Sequence, residues 1–134
     1  MSSLALGTVQ FGLDYGINNE RGKVPFAEVE AILNTAAAAG IDTLDTAKAY
    51  GDSEVVLGRA KVAGRFRLVT KLPAANVGDV KSAIVDSLAK LGASSLYACM
   101  FHSFASYEKQ PQLLASLTRC KEEGLAEKIG FSLY

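Results

Sequence analysis

Five short apolar runs recur along this chain, and the segments between them carry apolar residues at helical spacing. Residues 4–9 (LALGTV), 41–46 (IDTLDT), 66–72 (FRLVTKL), 96–102 (LYACMFH) and 129–134 (IGFSLY) read as strands. Pro25 opens the first helix, with Phe26, Val29, Leu33 and Ala36 or Ala37 on one face and Gly40 just past the end. Residues 53–64 read as a short second helix with Ser53 as a candidate cap. Val80, Ile84, Leu88 and Leu91 form the stripe of a third. Leu114, Leu117 and Cys120 or Lys121 mark a fourth, which begins near Pro111 and stops at Gly124. A strand-to-strand spacing of about 30 residues fits consecutive βαβ units. Runs such as LVTKL and YACMF are apolar on both faces, as parallel strands covered on both sides require.

Two architectures accommodate this rhythm. A doubly wound sheet usually carries a glycine-rich phosphate turn after its first strand, and here that position reads GTVQFGLDYG, without G-x-G-x-x-G. The barrel is therefore favoured. A complete (β/α)8 barrel takes about 250 residues. The 134 residues supply five strands alternating with four helices, which is half a barrel plus one strand. The expected fold is α/β, a partial (β/α)8 TIM barrel forming a single domain over residues 1–134.

Composition narrows the partners. Fourteen basic and fourteen acidic residues cancel, and no block of one sign occurs, which argues against nucleic acid or an acidic membrane surface. No run approaches a membrane span, and the start MSSLALGTVQFG lacks a basic, cleavable leader. The two cysteines, Cys99 and Cys120, lie in an apolar run and a helical pattern, where they read as small buried hydrophobes. With one histidine besides, the chain offers a poor zinc set. A soluble, reduced, cytoplasmic protein is expected.

In parallel barrels the chemistry sits at the carboxyl ends of the strands. The second strand ends at Asp45 with Tyr50 in the loop behind it, the third at Lys71, the fourth at His102 and the fifth at Ser132. Each has an ordinary alternative: Asp45 as a turn cap, Tyr50 as a half-buried aromatic, Lys71 reaching to solvent, His102 as a satisfied core residue. The repetition of polar residues at the same end of successive strands favours a site. An ammonium beside a phenol stabilises its phenolate, a carboxylate fixes the ammonium, and a histidine orients a carbonyl oxygen. Together these groups polarise a C=O and deliver a proton to its oxygen. No side chain supplies hydride, so a nicotinamide cofactor is required. Phe11, Tyr15 and Phe104 near the rim are compatible with either ligand contact or core packing.

At these residues the sequence resembles the aldo-keto reductase family. The matching pieces are LGTVQFG, GIDTLDTAKAYGDSEVVLG, LVTKL, MFHS and GLAEKIGFSLY, in the family's order along nearly the whole chain. The resemblance implies NADPH-dependent reduction of an aldehyde or ketone, with Tyr50 as proton donor, Lys71 and Asp45 tuning it, and His102 positioning the carbonyl. It also implies that Gly7 and Thr8 lie near the nicotinamide and that Ser132 hydrogen-bonds its carboxamide. Many relatives place asparagine after that serine, whereas Leu133 and Tyr134 follow here. The family's second half, which carries most contacts to the pyrophosphate and adenosine, is absent, so weak or no activity is expected of this chain alone.

The alternative is a non-catalytic half-barrel that keeps these residues as a remnant. An uncovered parallel edge and an apolar interior predict self-association, with a homodimer closing the sheet. A Schiff-base role for Lys71, as in a barrel aldolase, leaves the Asp45–Tyr50 spacing unexplained.

Overall fold

The computed structural model describes residues 4–13 and 22–133. In chain order the elements are β1 (Leu6–Gly7), α1 (Val9–Gly12), α2 (Phe26–Ala38), β2 (Thr43–Asp45), α3 (Ser53–Arg59), β3 (Arg67–Lys71), α4 (Val80–Leu91), β4 (Leu96–Phe101), α5 (Phe104–Lys109), α6 (Leu113–Glu122) and β5 (Ala126–Phe131). The strands form one five-stranded sheet in the order β1-β2-β3-β4-β5. Every neighbouring pair is parallel. Consecutive strands lie side by side, which is barrel connectivity, with no reversal of order as in a doubly wound sheet.

The long helices follow their stripes. Val29, Leu33 and Ala36 of α2 are buried, as are Val80, Ile84, Leu88 and Leu91 of α4 and Leu117 and Cys120 of α6. They cover one face of the sheet, where Leu44, Leu68, Cys99 and Phe101 complete the core. Removing each large side chain from water contributes roughly 1.5–3 kcal/mol. Asp79 caps α4 by accepting from the Ser82 amide at 2.9 Å, and Gly92 ends it in the left-handed region.

Six helices occur among the described residues, two more than the periodicity predicts. The additional ones, α1 and α5, span four and six residues, too few to show a stripe. Strand limits also move. β5 begins at Ala126, because the backbone pairs Leu96 with Ala126 although exposed Glu127 and Lys128 give no apolar signal. Tyr134, expected at its end, lies outside the described residues, as do Tyr15 and most of the loop before α2. β1 is only two residues long, since Thr8 turns the chain into α1. α3 ends at Arg59, and Lys61 adopts φ +57°, which no helix continues.

The sheet face opposite the helices differs from the apolar interior expected. Strand register aligns Val69, Ala98 and Lys128 in one row and Lys71, Met100 and Gly130 in the next. Arg67 and Lys128 both lie against the Tyr97 ring, 4.8 and 5.0 Å from its centroid. Apolar and cationic groups share this surface, so hydrophobic burial alone does not demand that it be covered.

Candidate active site

The residues at the carboxyl ends of the strands meet on one rim. Gly7 pairs with Asp45, Asp45 with Val69, and Lys71 with Met100, so the register lines up the ends of β1 to β4. His102 follows β4 and Ser132 follows β5, whose amide donates to the Phe101 carbonyl at 3.1 Å.

Lys71 is the centre of the cluster. Its side chain is only 4% exposed and does not reach to solvent. The ammonium donates to Asp45 Oδ1 at 2.8 Å, to the Thr46 carbonyl at 2.9 Å and to the Tyr50 hydroxyl at 3.4 Å. A buried ammonium is tolerated because charge and hydrogen-bond partners replace water. It also lies 4.9 Å from the centroid of the Tyr50 ring. Asp45 is 37% exposed, so its carboxylate keeps contact with solvent while holding Lys71.

His102 neighbours Tyr50, with ring centroids 6.4 Å apart and the rings nearly perpendicular. Burial, and then the positive charge of Lys71, push its pKa below 6.5, which keeps the imidazole neutral at pH 7. Its Nδ1 is buried with no hydrogen-bond partner among the described residues.

The loop that carries Tyr50 is fixed from behind. The Tyr50 amide donates to the Ala47 carbonyl at 3.1 Å, and the Ser53 amide donates to the Tyr50 carbonyl at 3.1 Å. Gly51 turns the chain at φ +58°, in the region that favours glycine. Gly12 of α1 packs directly on this turn: a Cβ there would collide with the Tyr50 carbonyl and the Ser53 amide. Thr8 is fully buried, and both its amide and its hydroxyl donate to the Asp45 carbonyl, at 3.0 and 2.9 Å.

The structure thus brings Asp45, Tyr50, Lys71 and His102 together. Gly7 borders open space, since a Cβ there would meet nothing within 4 Å. Of the residues considered for ligand contact, Phe11 is core, and exposed Phe104 packs on Tyr107 and Phe131. Gly12, Thr46 and Ser53 also support the site, although sequence alone does not mark them as parts of it. A glycine required for close approach leaves no local signal, because the segment it must accommodate lies about forty residues away along the chain. Ser53 looked like a helix cap, but Asp52 holds the N-cap position and the Ser53 hydroxyl turns inward to Thr8.

A segment of (β/α) barrel with a cluster of ionisable side chains on its carboxyl rim is the class these features define. The chain belongs to the aldo/keto reductase family, whose profile matches residues 3–134. Among solved structures, it is similar to an aldo-keto reductase from Pseudomonas aeruginosa at 28% identity, with a TM-score of 0.83, covering 98% of this chain and 55% of that one. An aldo/keto reductase from Brucella melitensis is 26% identical with a TM-score of 0.72, over 97% of this chain and 48% of that one. One from Klebsiella pneumoniae in complex with NADPH shares the fold at 23% identity and a TM-score of 0.74, over 95% and 44% of the two chains. The chain therefore spans about half the length of these structures. Comparison with curated proteins finds no match. Among the described residues, no helix is long and apolar enough to cross a membrane, and no three His, Cys, Asp or Glu side chains cluster as metal ligands.

Proposed function

We propose that Asp45, Tyr50, Lys71 and His102 form the acid–base centre of an NADPH-dependent carbonyl reductase that converts a small aldehyde or ketone to its alcohol. The observation that carries this reading is the buried Lys71 ammonium, held between the Asp45 carboxylate and the Tyr50 hydroxyl. A fixed positive charge 3.4 Å from the phenol oxygen stabilises the negative charge left there when its proton moves to the carbonyl oxygen. His102 orients that oxygen. With the proton of its neutral ring on Nε2, it donates to that oxygen.

Two features of the rim support a nicotinamide there: a Cβ at Gly7 would meet nothing within 4 Å, and Ser132 directly follows β5. When bound, NADPH supplies the hydride that the side chains cannot. Thr8 acts from behind the rim, because its hydroxyl is committed to the Asp45 carbonyl. Turnover by these residues alone is expected to be weak, since five strand ends line only one sector of a barrel rim. Buried, unpaired Cys99 and Cys120 suit a reducing cytoplasmic setting.

A second reading is favoured by one feature. Beside β1, an open and mostly apolar groove of about 430 Å³ is lined by Leu6, Ile32, Ala36 and Ile41, with Glu28 and Thr35 among its polar members. Self-association of two half-barrels through this edge would cover it, and the cluster would then be inherited and unused.

A fluorescence titration with NADPH, followed by an aldehyde-reduction assay, separates the two. Micromolar binding with turnover abolished by Tyr50→Phe supports the reductase. Absence of binding at millimolar NADPH, in a chain that sediments as a dimer, supports the second reading.

A further inference from the structure

We infer that Ser53 and Glu54, the first two residues of α3, are positioning residues that hold the ends of β1, β2 and β3 in register so that Lys71 meets Tyr50. This rests on the catalytic reading above.

Both side chains are buried, at 0% and 3% exposure, although they are polar and stand at the start of a helix. Burying such groups is costly unless their hydrogen bonds are made. Ser53 Oγ accepts from Thr46 Oγ1 at 2.9 Å, just beyond β2. Its own proton faces Thr8, whose carbonyl and hydroxyl oxygens lie at 3.1 and 3.0 Å, just beyond β1. Thr8 in turn donates to the carbonyl of Asp45. The result is a directed chain, Thr46 to Ser53 to Thr8 to Asp45, ending on the backbone of the residue that anchors Lys71. Glu54 reaches the third strand: Thr70, the residue before Lys71, donates to Glu54 Oε2 at 2.6 Å. Because strand side chains alternate, Thr70 points to the helices while Lys71 points to the rim. Fixing the first therefore fixes the direction of the second.

Tyr50 is tied to the same point, since its carbonyl accepts the Ser53 amide. The place where α3 begins thus sets the position of the phenol as well as of Asp45 and Lys71. Satisfied buried networks of this kind specify one geometry, whereas apolar packing tolerates small slips.

The test compares Ser53→Ala, Glu54→Leu and the conservative Glu54→Gln with the parent chain, using two readouts. The first is steady-state aldehyde reduction. The second needs no activity: the nuclear Overhauser effect between the Lys71 ε-methylene and the Tyr50 ring. Ser53→Ala and Glu54→Leu are expected to lower kcat up to about 100-fold with KM little changed, and to weaken or erase the Overhauser contact. Glu54→Gln still accepts from Thr70 and retains both. If Ser53→Ala folds and keeps parental kcat and the Overhauser contact, the positioning role is overturned. Should Glu54→Leu fail to fold, Ser53→Ala decides alone. Should the parent chain show no Tyr50-dependent reduction, the catalytic reading fails, and the Overhauser contact still decides the positioning: retained in Ser53→Ala it refutes, lost it supports.

Discussion

The Lys71 ammonium donates to the Tyr50 hydroxyl at 3.4 Å, across 21 positions of sequence. Lys71→Met keeps most of the side chain's length and removes its terminal ammonium. The Thr46 carbonyl then loses its donor, while half-exposed Asp45 falls back on water. Urea unfolding should show a loss of about 1–3 kcal/mol. Carbonyl reduction should fall by about 100-fold or more, read as aldehyde-dependent NADPH oxidation.

His102 gives stability a pH dependence of definite sign. Its folded-state pKa lies below the ordinary 6.5, so at mildly acid pH the unfolded chain binds the proton more readily. Its contribution is therefore fully present above 6.5 and is lost as pH falls from 6.5 toward the depressed folded value. Urea midpoints of the parent and of His102→Gln should differ in slope within that window and run parallel above pH 7. Parallel curves down to pH 5 would show that His102 titrates as in the unfolded chain.

Gly12 and Gly7 should respond oppositely to alanine. At Gly12 a Cβ meets the backbone of Tyr50 and Ser53, which cannot yield without moving the turn. Gly12→Ala should cost about 1–3 kcal/mol and displace the phenol. Gly7→Ala places its methyl in open space and should change folding stability by about 0.5 kcal/mol or less. Thermal denaturation of the two variants side by side checks both.

Burial pushes the Cys99 thiol up to about 12, and the Cys120 thiol is raised as well. At pH 8 the thiolate fraction of Cys99 is about one in ten thousand, and thiolate is the reactive form. Native protein should leave Cys99 unmodified by a disulfide reagent over minutes, and urea should release it. Rapid native labelling at Cys99 would mean that β4 opens on that timescale.

Much of the fold was legible because it follows periods. The stripes of α2, α4 and α6 repeat at helical spacing and are the faces that became buried. What escaped lacked a period: one-turn α1, short α5, and the polar start of β5, which is a strand because β4 offers it a backbone ladder. The mixed character of the sheet's open face was likewise hidden, since an Arg67 or Lys128 in a strand reads as a surface residue until register aligns them.

For the site, sequence by itself determined which groups stand at the strand ends, because apolar runs terminate at Asp45, Lys71 and His102 and parallel strands end on one rim. Only the tertiary structure decided that Lys71 is buried between Asp45 and Tyr50, and that Ser53, 45 positions from Thr8, links the strands behind them. Those contacts depend on register and on the close approach of Gly12 to the Tyr50 turn. A donor's partner is chosen by distance in space, which no local pattern of residues encodes.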